Sequence, residues 1–185
     1  LNFSYNRGKV VSLPENVALI QGGQYGDIFT VAYVGESTTG LAGIDYERNA
    51  AGDVIIDENG LPKVSPVKQT YIGNREPDCL LGLGSTFTWK DLSLSFLLDG
   101  RIGGDVANIT GRSLYSNGQN ALLVPYRNRK VVFKGVVDNG DGTYSPNTTP
   151  VILDQTTFNT YIYNVSSNFI EDGSYLRMSY VTLAY

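Results

Sequence analysis

The residues able to do chemistry are few, and they are poorly placed for it. The 185-residue sequence contains no His, one Cys and 18 Asp or Glu. Without His there is no usual general base, no commonest metal ligand and no Ser-His-Asp or Cys-His arrangement. Cys79 follows Asp78 and has no basic neighbour closer than Arg75, so nothing nearby would activate a thiolate. It reads as a small apolar residue at the start of a strand. A glycosidase needs only two carboxylates, but Asp57-Glu58 and Glu171-Asp172 are each adjacent in sequence and close to a Gly, which is turn chemistry.

Calcium loops place ligands at alternate positions ahead of a Gly. In Asp53 to Gly60 and Asp138 to Gly142 the first ligand position falls on Ile55 and Val137, so both frames fail. Gly100 to Asp105 lacks the Gly-Lys-Ser/Thr ending of a phosphate loop and the spacing of a dinucleotide loop. Asn2, Asn108, Asn147 and Asn164 begin Asn-x-Ser/Thr sequons, which matter only on a eukaryotic secretory route. The residues therefore support binding or structure, not catalysis, and they imply no cofactor.

Composition narrows the class. The chain is 42% hydrophobic with 21 Gly and 13 Tyr, a strand-leaning mixture whose length fits one ordinary domain. A net charge of −4 argues against nucleic acid as a partner. There is no apolar run of about 18 residues for a membrane helix, which says nothing against a β-barrel. A start at Leu1, without Met or an apolar leader, leads us to expect a fragment or a mature product.

The elements that must position these residues are mostly strands. Turn signals occur at Asn6-Arg7-Gly8, Gly22-Gly23, Glu58-Asn59-Gly60, Asp138 to Gly142 and Asp172-Gly173. Between them the pattern predicts strands over 9–13, 27–34, 54–57, 80–89, 92–98, 131–137 and 176–185. Residues 105–115, with Asp105 as cap, and 154–163 are each expected to form a short helix on a long connection.

The stretch Leu80 to Leu98 allows a sharper reading. If Lys90-Asp91 forms a two-residue turn, Trp89 faces Leu92, Phe87 faces Leu94 and Leu83 faces Leu98. Leu83, Phe87, Trp89, Leu92, Leu94, Phe96 and Leu98 then share one face. Gly82, Gly84, Thr86, Thr88, Ser93 and Ser95 share the other, with Leu97 the exception. The strands approach the ~9–11 residues of a tilted transmembrane strand, but a soluble sandwich gives the same alternation. Periodicity leaves lipid and protein core both open.

Five motifs in order resemble the late barrel region of SusC/RagA-type TonB-dependent outer-membrane receptors. They include Gly73-Asn74, Pro77-Asp78, Lys90, Asp99-Gly100 and Gly103-Gly104-Asp105 across residues 72–106. A second signature, Phe169 followed by Asp172-Gly173-Ser174-Tyr175-Leu176-Arg177, lies near the end. Residues 7–17, 46–62 and 131–151 carry further matches, so the resemblance spans nearly the whole chain. Cys79 departs from it, standing where the family commonly has an aromatic residue.

The resemblance implies an all-β fold, in which antiparallel strands form an incomplete section of a large transmembrane β-barrel with long loops and one or two short helices. Residues 1–185 would be part of the C-terminal barrel region, without the plug, the TonB box or the final strands, so the fragment alone would not transport. The apolar face would meet outer-membrane lipid in a Gram-negative bacterium. The loops would contact an oligosaccharide or peptide ligand and a SusD-like surface lipoprotein, while TonB-ExbB-ExbD would act through the absent N-terminal region. Tyr115, Tyr126, Tyr161 and Tyr163 are the loop aromatics that would either stack on the ligand or simply pack the loops. The alternative to this reading is a soluble β-sandwich module for binding or adhesion.

Overall fold

A computed structural model describes residues 1–185, the Leu122 side chain excepted. The long alternating segments form one open antiparallel sheet in the order β1 (Asn2–Ser4), β7 (Cys79–Trp89), β8 (Leu92–Ile102) and β15 (Tyr175–Ala184). The β7–β8 pairing brings Trp89 opposite Leu92, Phe87 opposite Leu94 and Leu83 opposite Leu98, the register that the parity of the sequence predicts. Lys90 supports the two-residue turn with a positive φ of 53°, and its ammonium lies 5.0 Å from the Trp89 ring centroid. No closed barrel forms among the described residues.

β15 extends the same two faces. Leu183, Val181, Met178 and Leu176 lie opposite Leu94, Phe96, Leu98 and Gly100, with a register shift between Met178 and Tyr180. The apolar stripe thus runs across the sheet, and Phe87 stacks on Phe96 at 6.2 Å. On the other face the Thr86 and Ser95 hydroxyls share a 2.9 Å hydrogen bond. Arg177 there pairs with Asp99 at 2.7 Å, and the Ser179 hydroxyl donates to the same carboxylate.

The connections between wall strands sit at one end, opposite the Lys90-Asp91 turn, and fold together into a cap. Its main sheet has the order β2 (Leu19–Tyr25), β3 (Ile28–Tyr33), β4 (Gly40–Gly43) and β6 (Thr70–Asn74). The two connections also share a sheet, in which β5 (Ile55–Ile56) pairs in parallel with β11 (Val136–Asp138), itself antiparallel to β12 (Tyr144–Pro146). β10 (Lys130–Val131) pairs with β13 (Val151–Ile152), and β9 (Asp105–Ala107) with β14 (Ile170–Asp172). Two short helices, α1 (Ile109–Ser116) and α2 (Gln155–Phe158), complete the cap, α2 running on into a π turn over Asn159–Tyr163.

Among the described residues the buried apolar side chains all belong to this cap: Ile28, Val31, Leu41, Ala42, Ile56, Leu153, Phe158, Val165 and Phe169. The wall contributes none. Phe3, Leu81, Leu83, Phe87, Trp89, Leu92, Leu94, Leu176, Met178, Val181 and Leu183 are instead exposed along the apolar stripe. At even ~1 kcal/mol each, leaving them in water forfeits roughly 10 kcal/mol, about the whole stability of an ordinary domain.

Several sequence expectations fail for identifiable reasons. Residues 9–13 form no strand, being tied to the cap by isolated bonds such as Val10 N to Glu36 O. Gly22-Gly23 lies inside β2 at a register shift and is not a turn. The predicted strand over 131–137 is broken into β10 and β11. Asp105 does not cap α1; it enters β9 and leaves the cap to Asn108, whose side chain accepts from Gly111 N at 2.7 Å. Asp154 does cap α2, accepting from Thr157 N at 2.7 Å.

Gly43 marks one close approach of the two connections. A Cβ there would lie 2.7 Å from Ser166 Cβ and 2.9 Å from Ile72 Cδ1. Gly43→Ala is therefore expected to cost the cap about 1–3 kcal/mol by overpacking. Hydrogen exchange should rise over 159–170 and stay unchanged in β7 and β8; unchanged exchange over 159–170 would show that the contact imposes no constraint.

Candidate functional site

The motif residues that are scattered along the sequence converge where the cap meets the wall. The β8–β15 ladder stops at Arg101–Tyr175 and resumes as β9–β14 at Asp105–Asp172. Gly103 and Gly104 bridge the gap with φ of 73° and 77°, a region that L side chains adopt only with strain. Across from them Asp172 Oδ1 accepts from both the amide and the hydroxyl of Ser174, and the Ser174 oxygen in turn accepts from Gly103 N at 2.8 Å. Asn74 N donates to Asp105 Oδ2 at 2.7 Å, Asp78 N to Ile102 O, and Arg101 Nη2 to Arg75 O at 2.8 Å. The Gly-Asn, Pro-Asp, Gly-Gly-Asp and Asp-Gly-Ser motifs are thus a joint between wall and cap.

A clasp then holds the two connections together. Arg112, on α1, forks onto both oxygens of Asp27 at the β2–β3 turn and also donates to Tyr163 O at 3.1 Å. Its guanidinium lies over the Tyr163 ring at 5.0 Å and the Phe169 ring at 5.4 Å. The Ser166 hydroxyl, fully buried, donates to Asp27 Oδ2 at 2.7 Å and accepts from Ile44 N at 3.1 Å. Next to it the Ser167 hydroxyl donates to Asp45, which Arg48 grips from the other side. Burial is the largest influence on both carboxyls and pushes them up. For Asp27, Arg112 and Ser166 outweigh it, and for Asp45, Arg48 and Ser167 do, so both end below the ordinary carboxylate range.

The four tyrosines occupy different surroundings. Tyr115 and Tyr126 line one cleft of about 620 Å³ with Leu123, Phe133, Lys134 and Phe158. Tyr115 is largely engaged there, stacked on Phe158 at 5.9 Å and edge-on to Phe169 at 5.8 Å, whereas Tyr126 is exposed. Tyr163 lies under Arg112, and Tyr161 is half-buried with its carbonyl accepting the Tyr46 hydroxyl at 2.5 Å. Neither lines that cleft. The seven hairpin residues Leu83 to Leu98 do share one face, as expected. Among the described residues no group of three or more His, Cys, Asp or Glu is arranged to hold a metal ion.

Wall, joint and cap together define a class: an open antiparallel sheet, apolar on one face, whose connections build a separate folded unit at one end. No protein-family model matches the chain. It is similar to TonB-dependent receptor P3 of Formosa agariphila, with 21% identity over 206 aligned residues, covering 100% of this chain and 19% of that protein. It is also similar to TonB-dependent receptor P26 of the same organism, 29% identical over 129 residues, covering 70% of this chain and 12% of that protein. The likeness is therefore to TonB-dependent receptors, and the chain spans less than a fifth of the length of either relative.

The clasp sets an acid limit. Because the folded-state carboxyls of Asp27 and Asp45 are lowered, their stabilising contribution is fully present above the unfolded carboxylate range and is lost as pH falls through the folded values. Hydrogen exchange over 159–170, corrected for intrinsic rates, should rise as pH drops below about 4. Asp27→Asn should raise exchange at neutral pH and flatten that dependence. An unaltered pH profile in this variant would remove Asp27 from the clasp.

Proposed function

We propose that this chain is a section of the barrel wall of a TonB-dependent outer-membrane receptor of the SusC/RagA kind, together with the extracellular cap that its loops build. The observation that carries the reading is the apolar stripe from Phe3 to Leu183, exposed on a sheet whose protein has its entire apolar core elsewhere. A soluble sandwich would need a second layer over that stripe, and no described element covers it. Lipid is the remaining oily phase. Lys90-Asp91 would then turn at the periplasmic rim, with Trp89 in the interfacial aromatic belt.

The receptor would import an oligosaccharide or a peptide, captured between the cap and a SusD-like lipoprotein and drawn inward when TonB pulls on a plug encoded outside these residues. Support for a ligand-facing cap comes from Tyr126, exposed in its cleft, since an exposed aromatic face suits the C–H surface of a sugar ring. Nothing in the residues supports catalysis, and the function is transport.

The test is cysteine labelling in outer-membrane vesicles, in a Cys79→Ser background because Cys79 shares the apolar face. Phe87→Cys, Leu94→Cys and Leu183→Cys should resist a membrane-impermeant maleimide, whereas Thr86→Cys and Ser95→Cys should react. Equal labelling of the two sets would contradict a lipid-facing stripe.

A further inference from the structure

We infer that a second cleft, at the joint, binds an acidic saccharide through its carboxylate or sulfate oxygens; this rests on the ligand-import reading above. The cleft holds about 700 Å³ between the β2–β3 hairpin and the segments that tie the cap to the wall. Tyr25, Phe29, Arg75, Glu76, Arg101 and Asp105 are among its lining residues.

The charges there are counted as two cations and two anions, but their hydrogen-bonding states differ. Glu76 is already served by neutral donors: Asn6 Nδ2 at 2.7 Å, Gly8 N at 3.0 Å and the Ser37 hydroxyl at 3.2 Å. Asp105 accepts from Asn74 N. The ion pairs among the described residues are Arg7–Asp78, Arg48–Asp45, Arg112–Asp27 and Arg177–Asp99, and neither Arg75 nor Arg101 belongs to one. Arg101 is held in place by carbonyls alone, through Nε to Gly103 O at 3.1 Å and Nη2 to Arg75 O at 2.8 Å. Glu76 and Asp105 are served by neutral groups, Arg75 forms no ion pair, and Arg101 meets the Asp172 carboxylate only at longer range, so guanidinium N–H donors are left over, and spare donors call for an oxygen-rich anion.

Two placements specify the rest of the ligand. Arg101 pairs across the ladder with Tyr175 and is two residues from Asp99, so it stands on the polar face of the wall, away from the apolar stripe. A ligand reaching it comes from the side that a barrel lumen would occupy. Tyr25, 63% exposed, makes no ring contact among the described residues and offers an unused aromatic face at the same cleft. A sugar ring bearing an acidic group would satisfy both features at once.

The probes are tetragalacturonate, its fully methyl-esterified form and a sulfated galactan tetrasaccharide, titrated calorimetrically against the protein purified in detergent. Binding of the acid, of the sulfated sugar or of both is expected, the two arms telling carboxylate from sulfate. The ester, which keeps the rings and loses the charge, should bind at least about tenfold more weakly. Arg75→Gln, at an exposed side chain, should lower acid binding by a similar factor, and the affinity should fall as salt rises. Ester binding as tight as the acid, or an Arg75→Gln variant that binds normally, would overturn the inference. If no acidic probe binds while Phe87→Cys stays protected in membranes, the acidic-ligand inference falls and the lipid-facing reading stands. Labelling of Phe87→Cys would instead remove the reading on which it rests.

Discussion

Everything in this protein follows from the pairing of Trp89 with Leu92 across a two-residue turn. In a strand the side-chain period is two, so one pair fixes the face of every residue in both strands. Shifting the pairing by a single residue would mix Leu and Phe with Ser and Thr on each side. The register that forms instead collects the large apolar residues on one face of β7 and β8, and β15 adds Met178, Val181 and Leu183 to it. A sheet so divided must place that face in oil. Among the described residues nothing covers that face, because the buried side chains are all in the cap.

The division of labour between wall and cap explains the motifs. Residues that would be read singly as turn formers turn out to be bonded to one another across large sequence separations, Gly103 N to Ser174 and Asn74 N to Asp105 among them. They let a regular ladder end, bend through two glycines and begin again inside a differently built unit. The clasp of Asp27, Arg112 and Ser166 does the corresponding work within the cap, where it closes two long connections against each other. Long loops gain a fixed shape in this way, and a fixed shape is what a ligand-facing surface requires. The two relatives named TonB-dependent receptors are each more than five times as long as the segment they share with this chain.

How much was legible in the sequence depended on whether the signal was local. The β7–β8 hairpin was readable because period-two alternation and a polar turn act over neighbouring residues, and the α2 cap at Asp154 was readable for the same reason. β2 was hidden because Gly22-Gly23 imitates a turn while forming a bulge. β4, Gly40–Gly43, contains no β-branched or aromatic residue and owes its conformation to burial between β3 and β6. Asp105 carried a cap-like context, yet its carboxylate is used by Asn74 from another segment. Arg112 and Asp27 are 85 residues apart, and no local pattern predicts a contact at that range. Of the four tyrosines, only packing could separate exposed Tyr126 from Tyr163 beneath its guanidinium.

The proposed contact of the Phe87 and Leu94 face with lipid is open to direct measurement. A nitroxide scan through residues 83–98, in protein inserted in membranes, tests it most directly by comparing collisions with oxygen, which enters lipid, and with a water-soluble nickel chelate. A lipid-facing stripe gives a period-two oscillation, oxygen-favoured at odd positions of β7 and at even positions of β8, with the phase reversing at the Lys90-Asp91 turn. Uniform nickel accessibility along both strands, or the opposite phase, would contradict it.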